Sequence, residues 1–254
     1  MTEPLSIFGL AGEHALISGG GSGLGLAIAE CFVAAGARVT LVGTNAKKLE
    51  SAAQGLGSAA GWQTFDVTDL DGGPAFAQAV EQQVGPVSIL VNNAGTTVKK
   101  PLREMSPAEF ESVLDVHVGG AFGLTKAFLP QLVAKKGSAL FTASMSSFLG
   151  IPNVIGYSAA KSAYIGMIRA LATELAPEGV RVNGVAPGWI DTALFRQATS
   201  TDPARLAKIK DRIPMQRFGS GTDIGWAMTY LASRAAGYVT GHVLTVDGGA
   251  LHAF

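Results

Sequence analysis

Short, nearly unbroken apolar runs alternate with longer stretches of helical period along the whole chain. HALIS (His14–Ser18), RVTLV (Arg38–Val42), WQTFD (Trp62–Asp66), SILVN (Ser88–Asn92), SALFTA (Ser138–Ala143), RVNGVA (Arg181–Ala186) and VLTVD (Val243–Asp247) read as strands. Most are apolar throughout, as strands covered on both faces of a parallel sheet are. Between them, GLAIAECFVAAG and SAYIGMIRALATELAPEG carry a helical pattern, the second halted by Pro and Gly. The expectation is a single α/β domain over residues 1–254, a doubly wound parallel sheet of about seven strands with helices on both faces. Ligands bind such sheets beyond the carboxyl ends of the strands, so distinctive chemistry should gather there.

Composition narrows the picture. Lys+Arg and Asp+Glu both number 19, so nothing steers the chain toward nucleic acid or an anionic membrane. No apolar run approaches the roughly 18 residues of a membrane helix. Cys31 is the only cysteine, which excludes an internal disulfide, and the start MTEPLSIFGLAGE lacks a secretory pattern; a cytoplasmic protein is expected. The 33 glycines do not form low-complexity tracts but punctuate the apolar runs, as turns between strand and helix require. The four histidines are scattered, and no metal site is expected.

ISGGGSGLGLAIAE follows the first strand and opens the first helix, with Gly19, Gly23 and Gly25 in a G-x-x-x-G-x-G spacing. Glycines there permit a tight turn and close approach of backbone to a pyrophosphate, which the helix N-terminus then holds. Gly21, Ser22 and Leu24 complete this candidate dinucleotide cradle. An acid about 20 residues on grips the ribose in NAD-type sites. Gly43 and Thr44 stand there instead, with donors nearby on Asn45, Lys47 and Lys48, so the pattern leans toward NADP over NAD.

In VIGYSAAKSAYIG, Tyr157 and Lys161 lie four residues apart and share one helix face. Alone, the pair also fits two amphipathic side chains with their tips in water. With the glycine turn it changes meaning, because SGGGSGLG, FDVTD, NNAG, SMSS, YSAAK, RVNGVAPG and VDGG occur in succession from about Leu10 to Gly249. The chain thereby resembles the short-chain dehydrogenase/reductase family, with its Rossmann-type fold.

That resemblance implies hydride transfer between NAD(P) and a secondary alcohol or ketone. Tyr157 would be the acid/base, and Lys161 would lower its pKa and hold the nicotinamide ribose. Ser144, thirteen residues before Tyr157, would polarise the carbonyl, with Ser146 and Ser147 as competitors. Asp66 and Val67 would contact adenine, although an Asp after a strand also fits a helix cap. Asn92 would brace the central sheet, with Ala94 and Gly95 approaching the adenosine side of the cofactor. Pro187 and Gly188 would belong to the cofactor site, and Ile190 and Thr192 would hydrogen-bond the carboxamide. His117 occupies the family's asparagine position and either relays protons or packs. Met145, Ser146, Asn153 and Trp189 would frame the pocket, with residues 193–215 as a lid. A keto-sugar acid or other small polar carbonyl is the expected substrate, with a 3-oxoacyl thioester as the alternative; Lys99 or Lys100 would either draw a substrate carboxylate or simply lie on a surface loop. A non-catalytic dinucleotide sensor or scaffold and an epimerase or dehydratase are the rivals. The family implies a homotetramer.

Overall fold

The computed structural model describes residues 4–192, 195–196 and 203–253. Seven parallel strands form one sheet in the order β3-β2-β1-β4-β5-β6-β7. They are β1 His14–Ser18, β2 Arg38–Gly43, β3 Ala60–Thr64, β4 Ile89–Asn92, β5 Ser138–Thr142, β6 Arg181–Pro187 and β7 Val243–Val246. The order reverses between β1 and β4, which opens a crevice at their carboxyl ends. The central strands β1, β4 and β5 are buried residue by residue, as their unbroken apolar runs require.

Among the described residues eight α-helices cover the sheet: α1 Gly23–Ala34, α2 Ala46–Leu56, α3 Gly73–Val84, α4 Pro107–Leu114, α5 Gly120–Lys135, α6 Ile155–Leu175, α7 Pro203–Asp211 and α8 Gly221–Ala232. On one face Phe76 of α3, Phe128 of α5 and Ile168 of α6 pack over Leu16, Leu90 and Phe141. On the other, Phe32 of α1, Leu49 of α2 and Met228 of α8 pack over Ile17, Leu41 and Val91. Each such large side chain contributes about 1.5–3 kcal/mol through burial, so the two layers fix the strand ends rigidly.

One strand departs from the expectation. The third strand runs Ala60–Thr64, not Trp62–Asp66. It is an edge strand paired only with β2, and its mixed exposure gives little apolar signal for register. The helical stretch leading to Lys135 begins at Pro107, where Ser106 and Glu109 form a reciprocal cap. It then widens into a π turn over Asp115–Gly119 before α5, and His117 lies buried in that turn. Such bulges re-aim side chains and are frequent at functional sites.

Candidate active site

The turn after β1 is shaped for close backbone approach. A Cβ at Gly25 would lie 2.3 Å from the Gly19 carbonyl oxygen, so no larger residue fits. Gly19 and Gly23 have φ of 67° and 56°, which glycine adopts without strain. Ser22 precedes α1 but its side chain makes no capping bond, leaving the first amides of the helix free to meet an anion. Beside the turn, Gly21, Ser22, Lys47 and Lys48 line a cleft of about 500 Å³. A larger cleft of about 660 Å³ lies at the opposite, amino ends of β4 to β6 and contains none of the expected site residues.

Around the adenosine side the expected residues converge with different duties. Thr44 is exposed, and the Asn45 side chain caps α2 by accepting from Lys48 N at 3.0 Å. Exposed Asp66 accepts from both the amide and hydroxyl of Thr68, closing the turn after β3. Val67 is buried against Gly120. Asn92 is buried and its amide donates to Thr125 on α5. The residue that joins the strands at this end is its neighbour Asn93. Its Nδ2 donates to Ser18 O at 3.0 Å, while its Oδ1 accepts from Thr142. Ser18 Oγ in turn accepts from the amides of Asn93 and Ala94.

Beyond β5, α6 carries both Tyr157 and Lys161. Lys161 is buried; its Nζ donates to Thr142 O at 2.5 Å and stands 5.6 Å from the Tyr157 ring centre. Ser144 hydrogen-bonds the Tyr157 phenol and accepts from Ser146 N at 3.1 Å, which separates it from its neighbours. Ser147 is turned to Lys161 O, and the buried Ser146 hydroxyl has no protein partner.

Burial pushes the half-buried Tyr157 phenol up, and the Ser144 hydrogen bond offsets only part of that. Burial likewise brings the Lys161 ammonium down to about 7. Burial is the dominant influence on the phenol, because withdrawal from water favours the neutral form of each partner. His117 adjoins them with its ring edge-on to Tyr157, centroids 5.6 Å apart. Burial, with Lys161 nearby, pushes it down to about 4.

On the carboxamide side, Gly188 N donates to Val246 O, Ile190 is buried and bridges Gly219, and Thr192 Oγ1 accepts from Phe195 N. Met145 and Ile213 form a third apolar cluster with Ala250, against which Trp189 and Ile209 of α7 pack. The base of the expected lid is thus docked beside the site; residues 193–194 and 197–202 lie outside the described residues. Asn153 adopts φ 67° and its carbonyl accepts from Lys100 N, tying the two loops at the mouth. Lys100 is ion-paired to Glu109, whose carboxyl it pulls down to about 2, so it is not free to meet a substrate. Lys99 is exposed and has no ion pair among the described residues.

A family model described as enoyl-(acyl carrier protein) reductase matches residues 19–251. The chain belongs to the short-chain dehydrogenase/reductase family. It is similar to galactitol 2-dehydrogenase (L-tagatose-forming) of Cereibacter sphaeroides, 40% identical over 96% of this chain and 97% of that protein. It is also similar to gluconate 5-dehydrogenase of Gluconobacter oxydans (strain 621H), 33% identical over 98% of each. A crystal structure of gluconate 5-dehydrogenase from Burkholderia cenocepacia J2315, in complex with NADP and tartrate, superposes with a TM-score of 0.94 at 32% identity, covering 99% of this chain and 100% of that one.

As a short-chain dehydrogenase/reductase the protein is an NAD(P)-dependent oxidoreductase acting on alcohol and carbonyl groups. Asn93, Thr142 and Tyr164 were missed in the sequence as parts of its site. The doubled Asn of NNAG was the available signal for the first. The other two act through a backbone carbonyl and a phenol that only the fold brings to Lys161 and His117.

Proposed function

We propose that the protein interconverts a keto-sugar acid, or a similarly small polar carbonyl, with its alcohol, using NADP(H) in preference to NAD(H). The observation that carries this is the juxtaposition of Ser144, Tyr157 and Lys161 at the carboxyl end of β5, beside the glycine turn. The glycine cradle, the uncapped α1 amides and the absence of an acid at Thr44 fit a phosphorylated dinucleotide, with Lys47 and Lys48 adding positive charge. When bound, the nicotinamide supplies the hydride chemistry. Ser144 directs its hydroxyl at the substrate carbonyl. Tyr157, kept protonated by burial, gives its proton to the forming alkoxide in reduction and takes it back in oxidation. Lys161, anchored on Thr142, holds the ribose side and favours the phenolate once that proton has left. Ile190 and Thr192 hold the carboxamide end.

Exposed Lys99, on the loop after β4 and without an ion pair among the described residues, supports a carboxylate-bearing substrate, as does the relative solved with NADP and tartrate. An apolar groove of about 320 Å³, lined in part by Leu102, Leu149, Ile151 and Ile155, favours a 3-oxoacyl thioester as the second reading. Exposed Phe122 on α5 and Trp226 on α8 support a homotetramer, and the single buried cysteine Cys31 supports a cytoplasmic protein. The deciding experiment is a spectrophotometric screen of keto acids, sugar acids and ketoacyl thioesters with each cofactor. Turnover of a keto-sugar acid with NADPH is expected. Exclusive thioester turnover would replace the substrate class, and cofactor binding with no turnover on any substrate would replace the enzyme with a sensor.

A further inference from the structure

His117 Nε2 lies within hydrogen-bond reach of both backbone groups of one residue, the Thr96 amide at 3.1 Å and the Thr96 carbonyl at 2.8 Å. A ring nitrogen carries either a proton or a lone pair, so one bond forms at a time. Nδ1 is enclosed without a protein partner. One end of the imidazole therefore stops on a backbone that neither gives nor takes protons, which makes the ring a poor conduit. Its main-chain carbonyl is also engaged, accepting from Tyr164 Oη at 3.1 Å.

Space for the ring depends on residue 95. A Cβ at Gly95 would lie 2.2 Å from His117 Cε1 and about as close as a bond partner to both ring nitrogens, at 2.9 and 3.0 Å. Gly95 has no positive φ, so its backbone alone does not demand glycine.

We propose that His117 and Gly95 are a matched pair in which the imidazole clamps Thr96 and so positions the loop after β4 against the Tyr157 ring. His117 is then a positioning residue and not a proton carrier. The groups facing it are Tyr157, Lys161 and Tyr164 from α6, and the Thr96 backbone from the loop. The kinetic part of this inference rests on the dehydrogenase reading; the steric part does not.

The test compares His117→Ala and His117→Gln, whose longer amide reaches the level of Nε2 and can serve the Thr96 N–H and carbonyl together. H117A should lower kcat by about 10-fold or more with cofactor affinity changed less than about 3-fold, and H117Q should restore most of the loss. The pH profile of kcat/KM should keep the same inflections in H117Q. A lost or displaced inflection would assign a proton-carrying role and overturn the clamp. Independently of any substrate, Gly95→Ala should lower the urea midpoint strongly in the His117 background and much less in H117A. Equal losses in the two backgrounds would refute the pairing. If no carbonyl is turned over, the dehydrogenase reading fails, while this stability comparison still decides the steric claim.

Discussion

Replacing His117 with Asn should flatten the acid side of the protein's stability curve. An ordinary histidine titrates near 6.5, whereas burial, with Lys161 nearby, holds His117 down to about 4. Between those values the unfolded chain binds a proton that the folded chain refuses, so stability falls as the pH falls. The contribution is complete above pH 6.5 and is lost through the window down to 4. At pH 5 the linkage amounts to about 2 kcal/mol, and the whole displacement is bounded at about 3.4 kcal/mol. His14, buried and bonded to Gly85 and Thr40, is also held below its ordinary value and lowers stability in the same direction. It does so in both proteins, so the difference between them isolates His117. Urea melts at pH 7.5 and 5.0 provide the measurement. Wild type should lose about 2 kcal/mol more than H117N over that interval, with the denaturant slope unchanged. Parallel losses would refute the argument, because His117 would then titrate equally in the folded and unfolded chains.

Tyr157→Phe removes the exchangeable proton and little else; turnover should fall by about 10²-fold or more while cofactor affinity, read by fluorescence quenching, stays within about 3-fold. Near-normal turnover would remove Tyr157 from the chemistry. Gly25→Ala would drive a methyl to within 2.3 Å of the Gly19 carbonyl oxygen, so cofactor affinity should drop by at least about 10-fold, and unchanged affinity would place the dinucleotide elsewhere. Lys99→Ala should raise KM for sugar acids several-fold but leave neutral polyols unaffected, and the effect should shrink as salt is added. An equal change for both substrate types would sever Lys99 from carboxylate recognition.

Much of the fold was legible because its strands are buried on both faces and announce themselves as apolar runs. His14–Ser18 matches residue for residue. The slip at β3 arose where that logic fails, since an edge strand with exposed Gly61 and Trp62 has no buried face to fix its register. The π turn was illegible because DVHVG continues a helical period, and one extra residue per turn leaves no compositional mark. Lys99 and Lys100 are adjacent and alike in sequence. Only the fold shows that Glu109, positioned by its own cap with Ser106, takes one and leaves the other. Tyr157 and Lys161 were legible as a pair from their spacing, whereas their protonation was not, because it depends on how much water the fold removes.

That last point changes how the pair works. A solvated lysine beside a tyrosine would favour phenolate continuously, leaving the tyrosine a weaker proton donor for reduction. Here both groups are withdrawn from water: the phenol is held up and the ammonium is brought down to about 7. Burial therefore favours the protonated phenol, and it weakens the Lys161 ammonium that is anchored on the Thr142 carbonyl. Loss of the phenol proton creates an anion that the buried ammonium can stabilise, and that anion in turn raises the lysine pKa. The two titrations are thus coupled, with each charge favoured more when the other is present. In a buried pair of this kind the phenol resists ionisation until a substrate oxygen accepts its proton. This ties ionisation to the reaction itself and explains why Lys161 is sealed in the core rather than left at the helix surface.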